Sequence, residues 1–265
     1  MISSRAYLLV FHGSRDSRTL AAAAQLRQLL LTIKFKNILT QQNYLEANLP
    51  DYEDKVSDTV SLLETTHLVD IAALELSSKS LSESLIDFAR QASSRGIKQI
   101  KVIPLFLAPG IHVMQDIPTE IDLALKQLDR SITIELCSFL GQYSGMVSLL
   151  AGKFSQMSGE ARILVAHGSR LSEGKSYYQN LATKLDADLA CWSVAPKIAS
   201  VVEAQISSGK KKIAILPYFL FPGRISSAIA SEIAQLQKQY SQVELNLGEP
   251  LGATEDLARL IAKSV

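Results

Sequence analysis

Two histidines and a glutamate, His12, Glu75 and His112, stand at or just beyond the ends of apolar runs that are far apart in the chain. His12 closes Tyr7-Leu8-Leu9-Val10-Phe11, Glu75 lies in Ala72-Ala73-Leu74-Glu75-Leu76, and His112 follows Val102-Ile103-Pro104-Leu105 and the turn signal Pro109-Gly110. Runs of this kind read as buried strands of a parallel sheet. Their carboxyl ends share one edge, and ligands of open α/β sheets bind there. Two imidazoles and a carboxylate suit a borderline divalent ion such as Fe2+ or Co2+, and the same groups accept protons near neutral pH. Taken singly, a histidine at a strand end has a plainer role in bonding a loop. A carboxylate in an apolar strand is expensive without a partner, which sets Glu75 apart from ordinary core. Which of the three is ligand and which is base does not follow from the residues.

The elements that must place these groups come twice. Phe11-His12-Gly13-Ser14-Arg15 returns as Ala166-His167-Gly168-Ser169-Arg170, and Ile103-Pro104-Leu105-Phe106-Leu107-Ala108-Pro109-Gly110 matches Leu216-Pro217-Tyr218-Phe219-Leu220-Phe221-Pro222-Gly223 without a gap. Self-similarity at half the chain means two homologous lobes, since solenoid repeats run at only about 20–50 residues. The predicted class is α/β, with each lobe a parallel sheet of about four strands flanked by helices. The lobes are expected at 1–157 and 158–265.

In the first lobe the pattern predicts strands over 6–11, 67–76, 99–105 and 131–137. Helices are predicted from Ser17 or Arg18 to Ile33, over 81–94, from Asp116 to Leu128 and over 143–157. The second lobe is predicted to repeat the order with strands at 162–167, 188–194, 212–218 and 242–247, and helices at 173–186, 196–208, 226–239 and from Thr254. The first lobe carries an insertion from Phe35 to Thr66, polar and irregular around Asn43 to Glu53, with a short helix over Val56 to Leu63. Such a connection serves as a lid, a partner contact or a plain surface elaboration.

Composition narrows the classes. The chain is 47% apolar and 20% charged, enough for a core and too apolar for disorder. With 27 basic and 26 acidic side chains and a net charge of +1, no global field drives binding to nucleic acid or an anionic membrane. The cluster Lys210-Lys211-Lys212 is read as solvated charge. No apolar run approaches the ~18 residues of a membrane span, and the amino terminus runs into the first strand without room for a signal peptide. A cytoplasmic protein is expected. Cys137 and Cys191 lack paired metal or redox spacing and read as buried thiols, and His67 reads as structural.

The ordered set resembles the sirohydrochlorin chelatases, the class II tetrapyrrole metal chelatases, in their long, two-lobed form. Leu9-Val10-Phe11-His12-Gly13-Ser14-Arg15 is similar to the family's first histidine motif, and Ala73-Leu74-Glu75-Leu76-Ser77-Ser78-Lys79 to its Leu-Glu segment. Val102 to Val113, with Asp116-Ile117-Pro118 following, is similar to the second histidine motif. The resemblance implies His12, Glu75 and His112 as catalytic and metal-holding residues. It implies insertion of Fe2+ or Co2+, with Ni2+ also considered, into sirohydrochlorin to give sirohaem or cobalt-sirohydrochlorin, a cobalamin precursor. The metal is then substrate, and no prosthetic cofactor is expected. A monomer with an internal pseudo-dimer would build the cleft that single-lobe relatives form by pairing.

The second lobe departs from this pattern. It keeps His167, but Ile225 matches His112, and Leu189-Ala190-Cys191-Trp192-Ser193-Val194 holds no carboxylate to match Glu75. One site is therefore expected, on the first lobe. The carboxylate-bearing rim of the tetrapyrrole needs cations and amide donors. Ser14, Arg15, Ser77, Lys79, Arg170 and Arg224 are the candidates, with Ser78 and Ser169 beside them, and Trp192 and Tyr218 are available for stacking. Phe106, Leu107, Pro109, Phe219 and Phe221 are candidate apolar walls. Two other readings remain: a tetrapyrrole or metal carrier that does not turn over, and a phosphohistidine enzyme. The latter would need more arginines around His12 than Arg15 and Arg18.

Overall fold

The computed structural model describes residues 5–46, 67–129 and 131–265, with side chains for all of these except 34–46 and 67. Most of the inserted segment, including the expected helix over Val56 to Leu63, lies outside the described residues, as does the side chain of His67.

Two four-stranded parallel sheets form the molecule. In the first, β1 (Arg5–Phe11), β2 (His67–Ala73), β3 (Gln99–Pro104) and β4 (Thr133–Leu136) lie in the order β2-β1-β3-β4. In the second, β5 (Ala161–Ala166), β6 (Asp188–Cys191), β7 (Lys212–Pro217) and β8 (Glu244–Leu247) lie in the order β6-β5-β7-β8. Identical order in both confirms the duplication. β1 is paired on both sides and covered on both faces, so Ala6 to Phe11 are all buried and the strand reads as an unbroken apolar run rather than an alternating one. Its register sets Phe11 against Ala73 and Val10 against Pro104, bringing the next residues of all three strands to one edge.

The helices are α1 (Ser17–Glu46), α2 (Leu81–Ser94), α3 (Ile117–Leu125), α4 (Met146–Ser155), α5 (Ser172–Lys184), α6 (Ile198–Ser207), α7 (Arg224–Gln239) and α8 (Glu255–Ser264). A capping box starts α2, with Ser80 accepting from the Glu83 N–H and Glu83 accepting from the Ser80 N–H. Leu81, Leu85, Phe88, Ala89 and Ala92 then bury one face against the first sheet's core.

Each sheet has its own cluster on one face, and a third cluster is common to both lobes. It joins Leu26 and Leu30 of α1 to Leu150 and Phe154 of α4, Tyr178 and Leu181 of α5, and Leu257 and Ile261 of α8. Burying each such side chain contributes about 1.5–3 kcal/mol. The lobes are thus welded by dry core.

Several elements differ from expectation. α1 passes Ile33 and runs to Glu46, so the first part of the insertion is helical rather than irregular. β2 stops at Ala73 instead of Leu76, and Leu76 takes a left-handed φ of 56° incompatible with strand geometry. β6 likewise stops at Cys191. Cys191 is buried but Cys137 is only partly so; both are free thiols, and burial raises the pKa of each.

Candidate active site

His12 is the first residue beyond β1 and Glu75 the second beyond β2. The Leu74 and Glu75 N–H groups still bond to the Phe11 and His12 carbonyls at 2.8 and 3.0 Å, so pairing persists after strand geometry ends. Gly13 makes this close approach feasible. Its φ is 95°, and a Cβ there would lie 1.9 Å from the Glu75 carbonyl oxygen. Glu75 is consequently exposed in a loop, not buried in an apolar strand, and the desolvation argument that singled it out does not apply.

His112 arrives on a different device. Residues His112–Asp116 form a π-turn closed by the Ile117 N–H bonding to the His112 carbonyl, and α3 continues from it. The expected helix start at Asp116 is therefore preceded by a full wider turn that carries the histidine.

The three side chains converge. One ligand atom from each of His12, Glu75 and His112 lies within 4.8 Å of the others. Glu75 sits between the rings, with Oε2 3.9 Å from His12 Nε2 and Oε1 3.8 Å from His112 Nδ1. The rings stand edge to face, 4.7 Å between centroids at 84°, and Phe106 lies 6.4 and 6.1 Å from them. The His12 and Glu75 side chains are about half exposed, at 52% and 48%, and that of His112 is 33% exposed. Groups this open can receive an ion from solvent. His12 Nδ1 lies 3.2 Å from the Gly13 carbonyl, which can only accept, so the proton sits on Nδ1 and the Nε2 lone pair faces Glu75.

Sequence reasoning missed Asp116 as a partner of the site. Its Oδ2 lies 2.7 Å from His112 Nδ1. The His-x-x-x-Asp spacing was the available signal, since residues four apart share a helix face.

In the second lobe the Trp192 and Ser193 N–H groups bond to the Ala166 and His167 carbonyls, both at 2.9 Å, reproducing the bonds of Leu74 and Glu75. Ser193 thus stands where Glu75 stands in the first lobe, and its hydroxyl donates to the His167 carbonyl at 2.8 Å. His167 has its pKa lowered by partial burial and then by the charge of His12, so the two strand-end histidines lie within electrostatic reach of one another.

The candidate rim residues part company. Arg15, Arg170 and Arg224 are exposed, and Arg224 is close enough to Asp16 to act on its charge. Arg18 binds Asp16 at 2.7 Å, holding that carboxyl at a pKa of about 2, and donates to Ser227 of the other lobe at 3.2 Å. Lys79 is taken up by Asp87 at 2.6 Å. Ser14 and Ser77 accept from the Asp16 and Lys79 N–H groups, shaping their own turns. Trp192 is half-buried against the second lobe's core. Tyr218, expected to stack, is instead 2% exposed and bonded between the lobes, because it packs in the core common to both.

Fold and site together define a two-lobed α/β protein with an open His–Glu–His triangle at one sheet edge. A model of the CbiX family matches residues 47–157 and 161–265, and the chain belongs to that family. It is 30% identical over 115 residues to the sirohydrochlorin ferrochelatase of Priestia megaterium, a match covering 40% of this chain and 43% of that protein. It is 26% identical over 207 residues to the sirohydrochlorin cobaltochelatase of the same organism, covering 70% and 64%. Each match spans less than two thirds of the relative's length. SirB from Bacillus subtilis with Fe3+ superposes with a TM-score of 0.68 over 98% of this chain and 94% of that one, at 19% identity, which establishes the shared fold.

Proposed function

We propose that this protein inserts a divalent ion, Fe2+ or Co2+, into sirohydrochlorin, as a lyase with a single active site on the 1–157 lobe. The observation that carries the reading is the convergence of His12, Glu75 and His112 on one point at an open edge. Membership of the CbiX family and the names of the two similar proteins, a ferrochelatase and a cobaltochelatase, support it.

Metal insertion requires an ion stripped of water, two pyrrole N–H protons removed, and a ring held with its nitrogens toward the ion. His12 Nε2, His112 and Glu75 hold the ion at borderline-to-hard donors that release it readily. As the ion transfers, the freed His12 and His112 imidazoles accept the two pyrrole protons, one each, and Glu75 compensates the charge they gain. Arg15, Arg170 and Arg224, aided by Ser14 and Ser77, meet the carboxylate rim, with Lys79 contributing only if it leaves Asp87. Phe106 lies against a face of the ring. The 158–265 lobe walls the cleft and brings His167 to its far side. The protein acts as a monomer in the cytoplasm, without nucleic acid. No helix among the described residues is long and apolar enough to cross a membrane.

The test is an anaerobic insertion assay on purified protein with Fe2+, Co2+ and Ni2+, using sirohydrochlorin and protoporphyrin side by side. Repeated turnover on sirohydrochlorin with Fe2+ or Co2+ is expected. At most one equivalent of product would instead identify a carrier.

A further inference from the structure

We propose that Asp116 is a positioning residue for the ion: by accepting the Nδ1 proton of His112, it fixes the tautomer in which Nε2 keeps its lone pair for the metal. The inference rests on reading His112 as an ion ligand, and three observations carry it. First, the 2.7 Å separation is that of a charge-assisted hydrogen bond, whereas Glu75 at 3.8 Å from the same nitrogen is too far for one. An ionised carboxylate only accepts, so the proton lies on Nδ1.

Second, Asp116 has helical geometry (φ −67°, ψ −50°) within a run continuous from His112, and the preceding turn already takes up the Ile117 N–H, so no capping bond draws on its side chain. Its carboxylate is committed to the imidazole instead. Third, His112 and Asp116 are the two ends of the π-turn. Such turns are rare and recur at functional sites, and here the turn sets residues four apart side by side while His112 points toward His12. The outcome mirrors the other ring, where the Gly13 carbonyl holds the proton on Nδ1. His12 then turns Nε2 toward Glu75, and His112 is left with Nε2 as its one free lone pair, which the carboxylate partner makes the more basic.

The experiment compares Co2+ affinity, insertion rate and the ring 15N shifts of His112, the last assigned by their loss in His112→Ala. In the metal-free native protein Nδ1 should be protonated and Nε2 not. Asp116→Ala should mix the tautomers and lower Co2+ affinity and insertion about 10–100-fold, and Asp116→Asn, which still accepts through its carbonyl, should recover most of the loss. A native ring protonated on Nε2 would overturn the inference, as would native Co2+ affinity in Asp116→Ala beside lost affinity in His112→Ala. Unchanged Co2+ affinity in His112→Ala would instead remove the ligand reading itself, a separate result.

Discussion

The Tyr218 hydroxyl, just beyond β7 in the second lobe, donates to the Leu107 carbonyl of the first at 2.9 Å. Tyr177 of α5 lies 2.9 Å from the same hydroxyl and donates to the Gly141 carbonyl at 2.8 Å. Two phenolic protons face three acceptors, so the hydroxyls share them among the two carbonyls and each other. Gly141 is needed for this strut, since a Cβ would fall 2.1 Å from the Leu107 oxygen and 2.5 Å from the Tyr177 hydroxyl. Burial raises the pKa of both phenols above the ordinary tyrosine value, so they are protonated at neutral pH.

Tyr218→Phe should destabilise the fold by about 1–3 kcal/mol, because a part-buried carbonyl loses its donor while the ring's packing is kept. Chemical denaturation followed by circular dichroism measures this. Native stability in the variant would mean that water replaces the phenol.

His12→Ala and His112→Ala should each abolish metal insertion with little change in thermal stability, since neither ring belongs to the apolar core and their side chains are 52% and 33% exposed. His167→Ala should keep most of the rate, because Ser193 and Ile225 occupy the places of the other two ligands in its lobe. Equal damage from His12→Ala and His167→Ala would refute a single site.

Gly13→Ala should cost about 1–3 kcal/mol in backbone strain and push the Glu75 loop away, removing Co2+ affinity. The matching glycine, Gly168, also has a positive φ, of 89°, but a Cβ there meets the Val194 and Cys191 side chains rather than backbone. Gly168→Ala should lose stability and retain the ion. Titration calorimetry with Co2+ on both variants distinguishes them.

His167 should titrate below the ordinary imidazole value of about 6.5. Burial and the His12 charge both disfavour its cation, so the unfolded chain takes up the proton more readily. The sign follows: stability tied to this group is fully present above the unfolded value and is lost as the pH falls through it toward the folded one. An NMR titration of the His167 ring should show the low midpoint, and His12→Ala should raise it. An unmoved midpoint would show that the two rings do not sense one another.

The apolar runs before His12, His112 and His167 were legible in the sequence because strands buried on both faces carry no polar interruption, and the repeat made their common edge legible as well. Glu75 was found for the wrong reason. An apolar run looks like continuous strand, and a left-handed Leu76 leaves no compositional mark. The Tyr218 strut was invisible because its partner carbonyl is 111 positions away in the chain. Asp116 was hidden differently, since an aspartate ahead of a helix has an ordinary explanation in capping and only coordinates show it unused.

The core shared by α1, α4, α5 and α8 holds the two lobes in a fixed relation that no change in protein concentration alters. Where two separate copies would drift apart on dilution and leave their sites half-built, a tethered and fused pair keeps its jaws opposed at any concentration. On the proposed single-site reading, one of those jaws is then free to lose its own chemistry and remain as a wall.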